Sequence, residues 1–166
     1  MCIRDRHIDF SRQWDQTSLT AYLAELEAKE IMTDEQVDAI DVTNIMRFLD
    51  QPVVNRIKGA EVLERETPFS YMVDISKVDP AWQGAKEAVF IQGVIDVLYK
   101  TTDGWEILDY KTDTITGNVT NKVRQALAER YRVQLDLYTE AIEAILSIKV
   151  HNRQLYFFDQ DVLIEL

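Results

Sequence analysis

The spacing of hydrophobic positions is helical in the first third of the chain. Apolar residues at three- and four-residue steps are Leu19, Tyr22, Leu23 and Leu26, which is typical of a helix with one apolar face. Thr17 or Ser18 can cap this helix, and Thr33 followed by Gln36 is the pattern of a capping box on a second, short helix. The pattern therefore predicts a helical layer over residues 15–60.

Strand-like patterns begin after this layer. Residues 93–99 and 105–113 are rich in β-branched and aromatic residues, and they flank an Asp103-Gly104 turn signal, so we expect an antiparallel hairpin. Further strands are expected at 61–69, 154–158 and 162–166. Residues 119–147 read as one or two helices, with a stripe at helical spacing formed by Leu127, Tyr131, Gln134, Tyr138, Ala141 and Ile145. The sequence thus predicts an α/β core over residues 61–166.

Three charged residues occupy the hairpin. Alternation along a strand places Asp96 with Val94 and Leu98, and Asp109 with Lys111 and Ile107. A two-residue loop at 103–104 would pair Asp96 with Lys111, whereas a four-residue loop at 101–104 would pair Asp96 with Asp109. In both registers the three groups share one face, and directly opposed Cβ atoms are about 5 Å apart.

Two neighbouring carboxylates in apolar surroundings repel each other, and a divalent cation relieves that repulsion. Mg²⁺ prefers oxygen ligands and commonly takes one or two carboxylates with water and phosphate oxygens. The lysine could then orient or activate a water, or stabilise charge on a phosphate, so the chemistry indicated is metal-assisted phosphodiester hydrolysis. The alternative is an ordinary exposed hairpin face with a salt bridge between Asp96 and Lys111.

Length and composition favour one domain over residues 1–166. The chain has 166 residues and 46% hydrophobic content, which suffices for a core. No apolar run approaches the roughly 20 residues of a membrane span, and no signal peptide is recognisable. Cys2 is the single cysteine, which excludes a disulfide framework within this chain and fits a reducing cytoplasm.

Three motifs in order carry a resemblance to a known family. Asp96 in Gly93–Asp96, the triplet Asp109–Lys111, and Gln134-x-x-x-Tyr138 together resemble the RecB-type branch of the PD-(D/E)XK nuclease superfamily. The surrounding residues are similar to the nuclease domain of the AddA group, the helicase–nuclease subunits of bacterial AddAB. The resemblance is strongest from about Glu61 onward. It implies a restriction-endonuclease-like fold, with a central mixed sheet flanked by helices and preceded by the helical layer.

The resemblance also implies roles for the hairpin residues. Asp96 and Asp109 would bind Mg²⁺, with Mn²⁺ as a substitute, Tyr110 would contribute its carbonyl oxygen, and Lys111 would assist the attacking water. The implied partners are DNA, helicase domains of the same intact chain and an AddB-like subunit, in the repair of double-strand breaks by recombination.

Five further residues are candidates for contacting the substrate or supporting the catalytic groups, each with a plainer alternative. Gln134 and Tyr138 would bracket the site, but the Gln134 amide could instead bond to the sheet backbone. Asp113 could support Lys111 or begin the next turn. Glu66 could act in the site or be an ordinary charge at a strand edge. Gln92 could line the site or be a simple turn or edge residue.

The net charge of −11 opposes a generic nucleic-acid binder. A nuclease supplied with DNA by a motor need not grip the strand itself. A local basic strip on the last long helix is also possible, formed by Lys122, Arg124, Arg130 and Arg132.

The first residues do not fit the rest of the chain. Met1–Arg6 resembles translated adapter sequence and is interpreted as non-native. The resemblance places a histidine metal ligand near Cys2, where this chain has none. His7 is interpreted as an ordinary surface or capping residue.

Two other functions remain open. The chain could be a non-catalytic module with a nuclease fold that docks or guides a strand, which the missing histidine makes a serious alternative. It could also be another RecB-type exonuclease. The chain contains no Gly-rich loop ending in Gly-Lys-Ser/Thr, so it cannot hydrolyse ATP by that route.

Overall fold

The computed structural model describes residues 8–79 and 81–166. The chain divides into two compact units, one ending at Gly59 and the other spanning Ala60–Leu166. This boundary lies within one residue of the predicted boundary between the helical layer and the sheet. The prediction of a single domain over residues 1–166 stays a prediction, and the interpretations of Met1–Arg6, Cys2 and His7 lie outside the described residues.

From residue 8 onward, the first unit contains four helices, α1 (Gln16–Ala28), α2 (Asp34–Asp38), α3 (Val42–Leu49) and α4 (Pro52–Lys58). Helix α1 begins slightly earlier than expected, with Asp15 as its cap. The carboxylate of Asp15 accepts from Ser18 N at 2.7 Å, and Ser18 Oγ accepts from Asp15 N. Neither Thr17 nor Ser18 is therefore the cap. The capping box of Thr33 and Gln36 on α2 is confirmed.

The second unit contains β1 (Val62–Asp74), α5 (Ile75–Val78), β2 (Ala88–Thr101), β3 (Gly104–Lys111), α6 (Asn121–Leu146), β4 (Val150–Phe157) and β5 (Val162–Glu165). The strands form one sheet in chain order. Neighbouring strands are antiparallel except β3 and β4, which are parallel and are joined through α6. The sheet is therefore mixed, and the predicted α/β fold class is confirmed.

The β2–β3 hairpin has a two-residue loop, Thr102-Asp103, closed by Thr101 opposite Gly104. Its register places Val97 opposite Leu108. This is the register expected for the four-residue loop, although the loop itself is shorter. Extending it by one residue brings Asp96 level with Asp109.

An apolar cluster packs between the sheet and α6. Its buried members are Phe69, Ile95, Leu98, Ile107, Ile115, Leu135, Ala141, Ile142, Leu155, Phe157, Val162 and Ile164. The predicted stripe on α6 is partly wrong, because Ile145 is 46% exposed while Leu135 and Ile142 are buried. Among the helices of the described ranges, none has the length and apolar content needed to cross a membrane.

Candidate active site

Strand β2 separates from β3 at Asp96. The paired ladder ends at Val97 and Leu108, one residue before the position where Asp96 would face Asp109. At this point the side chain of Asp96 replaces the backbone as hydrogen-bond acceptor, because its Oδ2 accepts from Tyr110 N at 2.8 Å. A backbone N–H that no longer pairs within the ladder is thus satisfied by a carboxylate, which fixes that carboxylate next to Asp109.

Both strands beside this point are irregular. Ile95 and Leu98 belong to the same apolar cluster although they are three residues apart, so strict alternation of β2 is interrupted between them. On β1, Glu66 lies between the pairs Arg65–Val97 and Thr67–Ile95 and has a φ of 48°. A left-handed residue other than glycine costs on the order of 1 kcal/mol, and such strain is concentrated at functional sites.

Asp109 and Lys111 form a buried ion pair. Asp109 Oδ2 lies 2.6 Å from Lys111 Nζ, and the two side chains are 4% and 11% exposed. Asp109 follows Ile107 by two residues on the face that packs against α6. The predicted sharing of one face by these β3 residues accounts for the pair.

Gln134 on α6 connects the ion pair to Tyr138. Lys111 Nζ donates to Gln134 Oε1 at 2.8 Å, and Gln134 Nε2 donates to the Tyr138 hydroxyl at 2.8 Å. A longer contact of 3.4 Å joins Gln134 Nε2 to Asp109 Oδ1. The amide therefore bonds to the side chains of Lys111, Asp109 and Tyr138, and its support of catalytic groups stays a prediction.

Burial raises the pKa of both acids. The pKa of Asp96 rises to about 6 mainly because of desolvation, which the Tyr110 N–H partly opposes and the charges of Asp109 and Glu66 reinforce. Desolvation likewise raises the pKa of Asp109, against the opposing effect of Lys111. Burial therefore makes ionisation of both carboxyl groups less favourable, and the Lys111 ammonium opposes this effect only in part.

The remaining predicted residues lie at different distances from the acids. Glu66 is near enough for its charge to affect Asp96. Asp113 is paired with Arg130, with Oδ1 3.3 Å from Nη1. Gln92 has an exposed side chain that donates to Ser70 Oγ at 3.2 Å. Gln92 therefore lies inside β2 opposite Ser70 of β1, and not in a turn or an edge strand as its plainer alternative suggested.

Three of the four cations in the expected basic strip have partners within the chain. Arg124 donates to the Leu163 carbonyl at 3.0 Å, and Arg132 pairs with Glu129 at 2.8 Å. Arg130 pairs with Asp113. The acids paired with Arg130 and Arg132 offset part of the positive charge that the sequence suggested, whereas Arg124, bonded to a neutral carbonyl, keeps its charge.

Sequence reasoning missed two contributors to the site. Lys111 Nζ lies 4.1 Å from the ring centroid of Tyr131, which precedes Gln134 by three residues on α6. Gly93 lets the rings of Phe69 and Tyr138 approach the sheet, because a Cβ there would lie 2.7 Å from the Phe69 ring and 3.1 Å from the Tyr138 ring. Spacing on the helix was a signal for Tyr131, but nothing in the sequence identified the packing over Gly93.

Comparison with known proteins agrees with this arrangement. The model of the PD-(D/E)XK nuclease superfamily matches residues 6–163. The chain belongs to this superfamily. Asp96, Asp109 and Lys111, which the sequence predicts to be the catalytic residues, lie within this range on the neighbouring strands β2 and β3.

Relatives of this nuclease-superfamily chain are much longer. It is 38% identical to the A-type subunit of the ATP-dependent helicase/nuclease of Bacillus licheniformis over 93% of its own length, and 37% identical to that of Bacillus cytotoxicus over 97%. In both cases it spans 13% of the relative. The resemblance to the AddA group is confirmed. A crystal structure of SSO0001 aligns with 94% of this chain and 69% of its own at 15% identity and a TM-score of 0.38.

The donor set suits a hard cation in this PD-(D/E)XK nuclease site. Within residues 8–79 and 81–166, no group of three or more histidine, cysteine or acidic side chains is placed as a ready metal cage. Mg²⁺ does not require one, since it keeps several waters and commonly uses one or two carboxylates. Asp96 and Asp109 fit that chemistry, together with the carbonyl of Tyr110, which follows Asp109 in the chain.

Proposed function

We propose that this chain is the Mg²⁺-dependent DNA exonuclease domain of an AddAB-type helicase–nuclease that acts at double-strand breaks. The observation that carries the proposal is the buried pair of Asp109 and Lys111 beside Asp96, whose carboxylate is bound to Tyr110 N. Its partners would be DNA, helicase domains of a longer chain and an AddB-like subunit, in the cytoplasm. The similarity to the two Bacillus helicase/nuclease proteins supports this assignment.

Asp96, Asp109 and the Tyr110 carbonyl would hold the ion. Bound Mg²⁺ supplies Lewis-acid polarisation of the phosphate and a more acidic water. Its charge would also favour ionisation of the two acids, whose pKa values burial raises. The raised values are therefore a reason for the site to take up a cation.

Lys111 would orient the attacking water or stabilise negative charge on the phosphate. Its ammonium is buried, so its effect on nearby charge is stronger than in open water. Gln134 accepts from this ammonium and donates to Tyr138, which keeps the lysine directed at the acids. Mn²⁺ would substitute, because its ligand preferences resemble those of Mg²⁺.

The acidic composition is consistent with a domain that cleaves DNA while other domains hold it. The net charge of −11 and the internally paired arginines of α6 give this chain little to hold DNA with. We propose that the helicase domains and the AddB-like protein deliver the strand. Affinity of the isolated chain for DNA should accordingly be low.

A nuclease assay tests the proposal. The chain is incubated with end-labelled single-stranded DNA and Mg²⁺, Mn²⁺ or chelator, both unsubstituted and with Cys2→His, which restores a histidine near the position the family resemblance indicates. The variants Asp109→Asn and Lys111→Met should lose at least about 100-fold in rate. Asp136→Asn and Lys149→Met change an exposed acid and an exposed lysine elsewhere and should retain the rate.

Cleavage that needs the divalent ion and is lost only in the two site variants supports the enzyme. Equal rates in Asp109→Asn and unsubstituted protein would refute it. A folded protein that fails to cleave even with Cys2→His would favour a non-catalytic module that docks or guides a strand. Divalent-ion-dependent cleavage by a protein whose intact gene encodes no helicase domains would instead indicate a different RecB-type exonuclease.

A further inference from the structure

The ammonium of Lys111 has three kinds of neighbour. Asp109 Oδ2 is 2.6 Å away, Gln134 Oε1 accepts from it at 2.8 Å, and the ring centroid of Tyr131 lies 4.1 Å from it. An ammonium over an aromatic face is attracted by the negative charge of that face, and the attraction is largest where water is excluded. The Lys111 side chain is 11% exposed, so this condition is met.

We propose that Tyr131 is the positioning residue that keeps the Lys111 ammonium in the active site. This inference rests on the proposed function for its catalytic meaning. Asp109 is expected to serve the cation, and a carboxylate engaged by a divalent ion attracts a neighbouring ammonium less. Two uncharged partners, Gln134 and Tyr131, then remain to hold the lysine in place.

The ring itself is anchored from behind. Burial, reinforced by the neighbouring carboxylate of Asp113, raises the pKa of Tyr131 to about 12, so the phenol stays protonated. Arg130 binds the same carboxylate at 3.3 Å, and its guanidinium lies 5.3 Å from the Tyr131 ring. The ring also packs on Phe157, with centroids 5.9 Å apart. Asp113 thus acts through Tyr131 rather than on Lys111 directly.

Two substitutions separate the ring from its hydroxyl. Tyr131→Phe keeps the aromatic face, whereas Tyr131→Leu keeps apolar bulk without it. Tyr71→Leu is the matched control, because Tyr71 also packs half-buried on the apolar cluster but lies on β1. Under saturating DNA and Mg²⁺, kcat should fall about tenfold in Tyr131→Leu, less than threefold in Tyr131→Phe, and remain near the original in Tyr71→Leu.

A second measurement does not depend on activity. Methylene protons next to an ammonium above a ring face are shifted upfield by the ring current. In the full chain labelled with ¹³C-lysine, the Cε signal of Lys111 is assigned by its disappearance in Lys111→Met. It should be shifted upfield in the original protein and in Tyr131→Phe, and should return to the ordinary lysine position in Tyr131→Leu.

The two measurements distinguish failure of the proposed function from failure of the positioning by Tyr131. If the protein cleaves no DNA but the Lys111 signal behaves as expected, the proposed function is wrong and the positioning by Tyr131 stands. If the Lys111 signal is unshifted, or is the same in Tyr131→Leu, the positioning is refuted. It is also refuted if Tyr131→Leu reduces kcat no more than Tyr71→Leu does, or if Tyr131→Phe is as damaging as Tyr131→Leu.

Discussion

Asp96 accepts a hydrogen bond from the backbone N–H of Tyr110 at 2.8 Å, at the point where β2 leaves β3. This bond is the reason that an acid with a raised pKa stays in place without a cation. It also keeps the carboxylate adjacent to Asp109. The acid pair is therefore built by the separation of two strands, and the cost of burying its charge should be visible in the stability of the protein.

In metal-free protein, the free energy of unfolding of Asp96→Asn minus that of the unsubstituted chain should be larger at pH 8 than at pH 4. The pKa of Asp96 is raised from 3.8 to about 6 in the folded state. A carboxyl group whose pKa is raised by folding adds to the free energy of unfolding below about pH 4, and this contribution of Asp96 is lost as the pH rises through 6. The difference between variant and original should grow by at most roughly 3 kcal/mol over that range. Urea unfolding in chelator at both pH values measures it, and a difference that does not change with pH would contradict the assigned pKa.

Lys111→Met should destabilise the metal-free protein by about 3 kcal/mol at pH 8, because it leaves Asp109 buried without its countercharge. Adding Asp109→Asn should restore most of the loss, since the uncompensated charge is then gone. A double-mutant cycle by urea unfolding gives the coupling between the two residues. Additive effects of the two substitutions would show that the pair contributes no net interaction. Neither Lys111→Met nor the double variant should cleave DNA.

Gly93→Ala should destabilise the protein by about 1 to 3 kcal/mol, because the new methyl group would meet the Phe69 ring at 2.7 Å. Phe69 and Tyr138 pack edge to face with centroids 5.1 Å apart, and Tyr138 accepts from Gln134. We therefore expect reduced cleavage as well as a lower melting temperature. Gly59→Ala is the control, because a methyl group there has only ordinary contacts of 3.6 Å and longer. Equal stability of the two variants would refute the packing argument.

Alternation and motif spacing predicted the main features of this site but not its local geometry. The hairpin, the shared face of Asp109 and Lys111, and the helix carrying Gln134 all follow from periodicity, which survives in the structure. The interruption at Asp96 does not, because period-two reasoning assumes a regular strand. The left-handed Glu66 opposite it occurs at a residue type that gives no warning of such a conformation.

Long-range side-chain contacts were the other limit. Helical spacing placed Tyr131 and Gln134 on one stripe, yet only the structure brings the Tyr131 ring over Lys111. The same limit applies to Ile145, which the stripe placed inward and which is 46% exposed, whereas Ile142 one turn earlier is buried. Sequence periodicity gives the side of an element, whereas the depth of each residue depends on what packs against it.

A buried polar network lies on the face of β3 opposite to Asp109 and Lys111. A substitution in it should lower the stability of the protein without changing its cleavage rate. Glu106 is three residues before Asp109, so alternation along β3 places it on the opposite face. It is 1% exposed, and its Oε2 accepts from the Tyr99 hydroxyl at 2.9 Å. The same hydroxyl is 2.9 Å from Gln154 Oε1. Tyr99→Phe removes the donor and leaves buried acceptors less satisfied, which should cost about 1 to 3 kcal/mol of unfolding free energy. Tyr71→Phe, at a half-buried tyrosine outside this network, should cost much less. Because the network lies away from Asp109 and Lys111, the cleavage rate per folded molecule should not change. A fall in that rate, at a temperature where Tyr99→Phe is fully folded, would show that the two faces of the sheet are coupled.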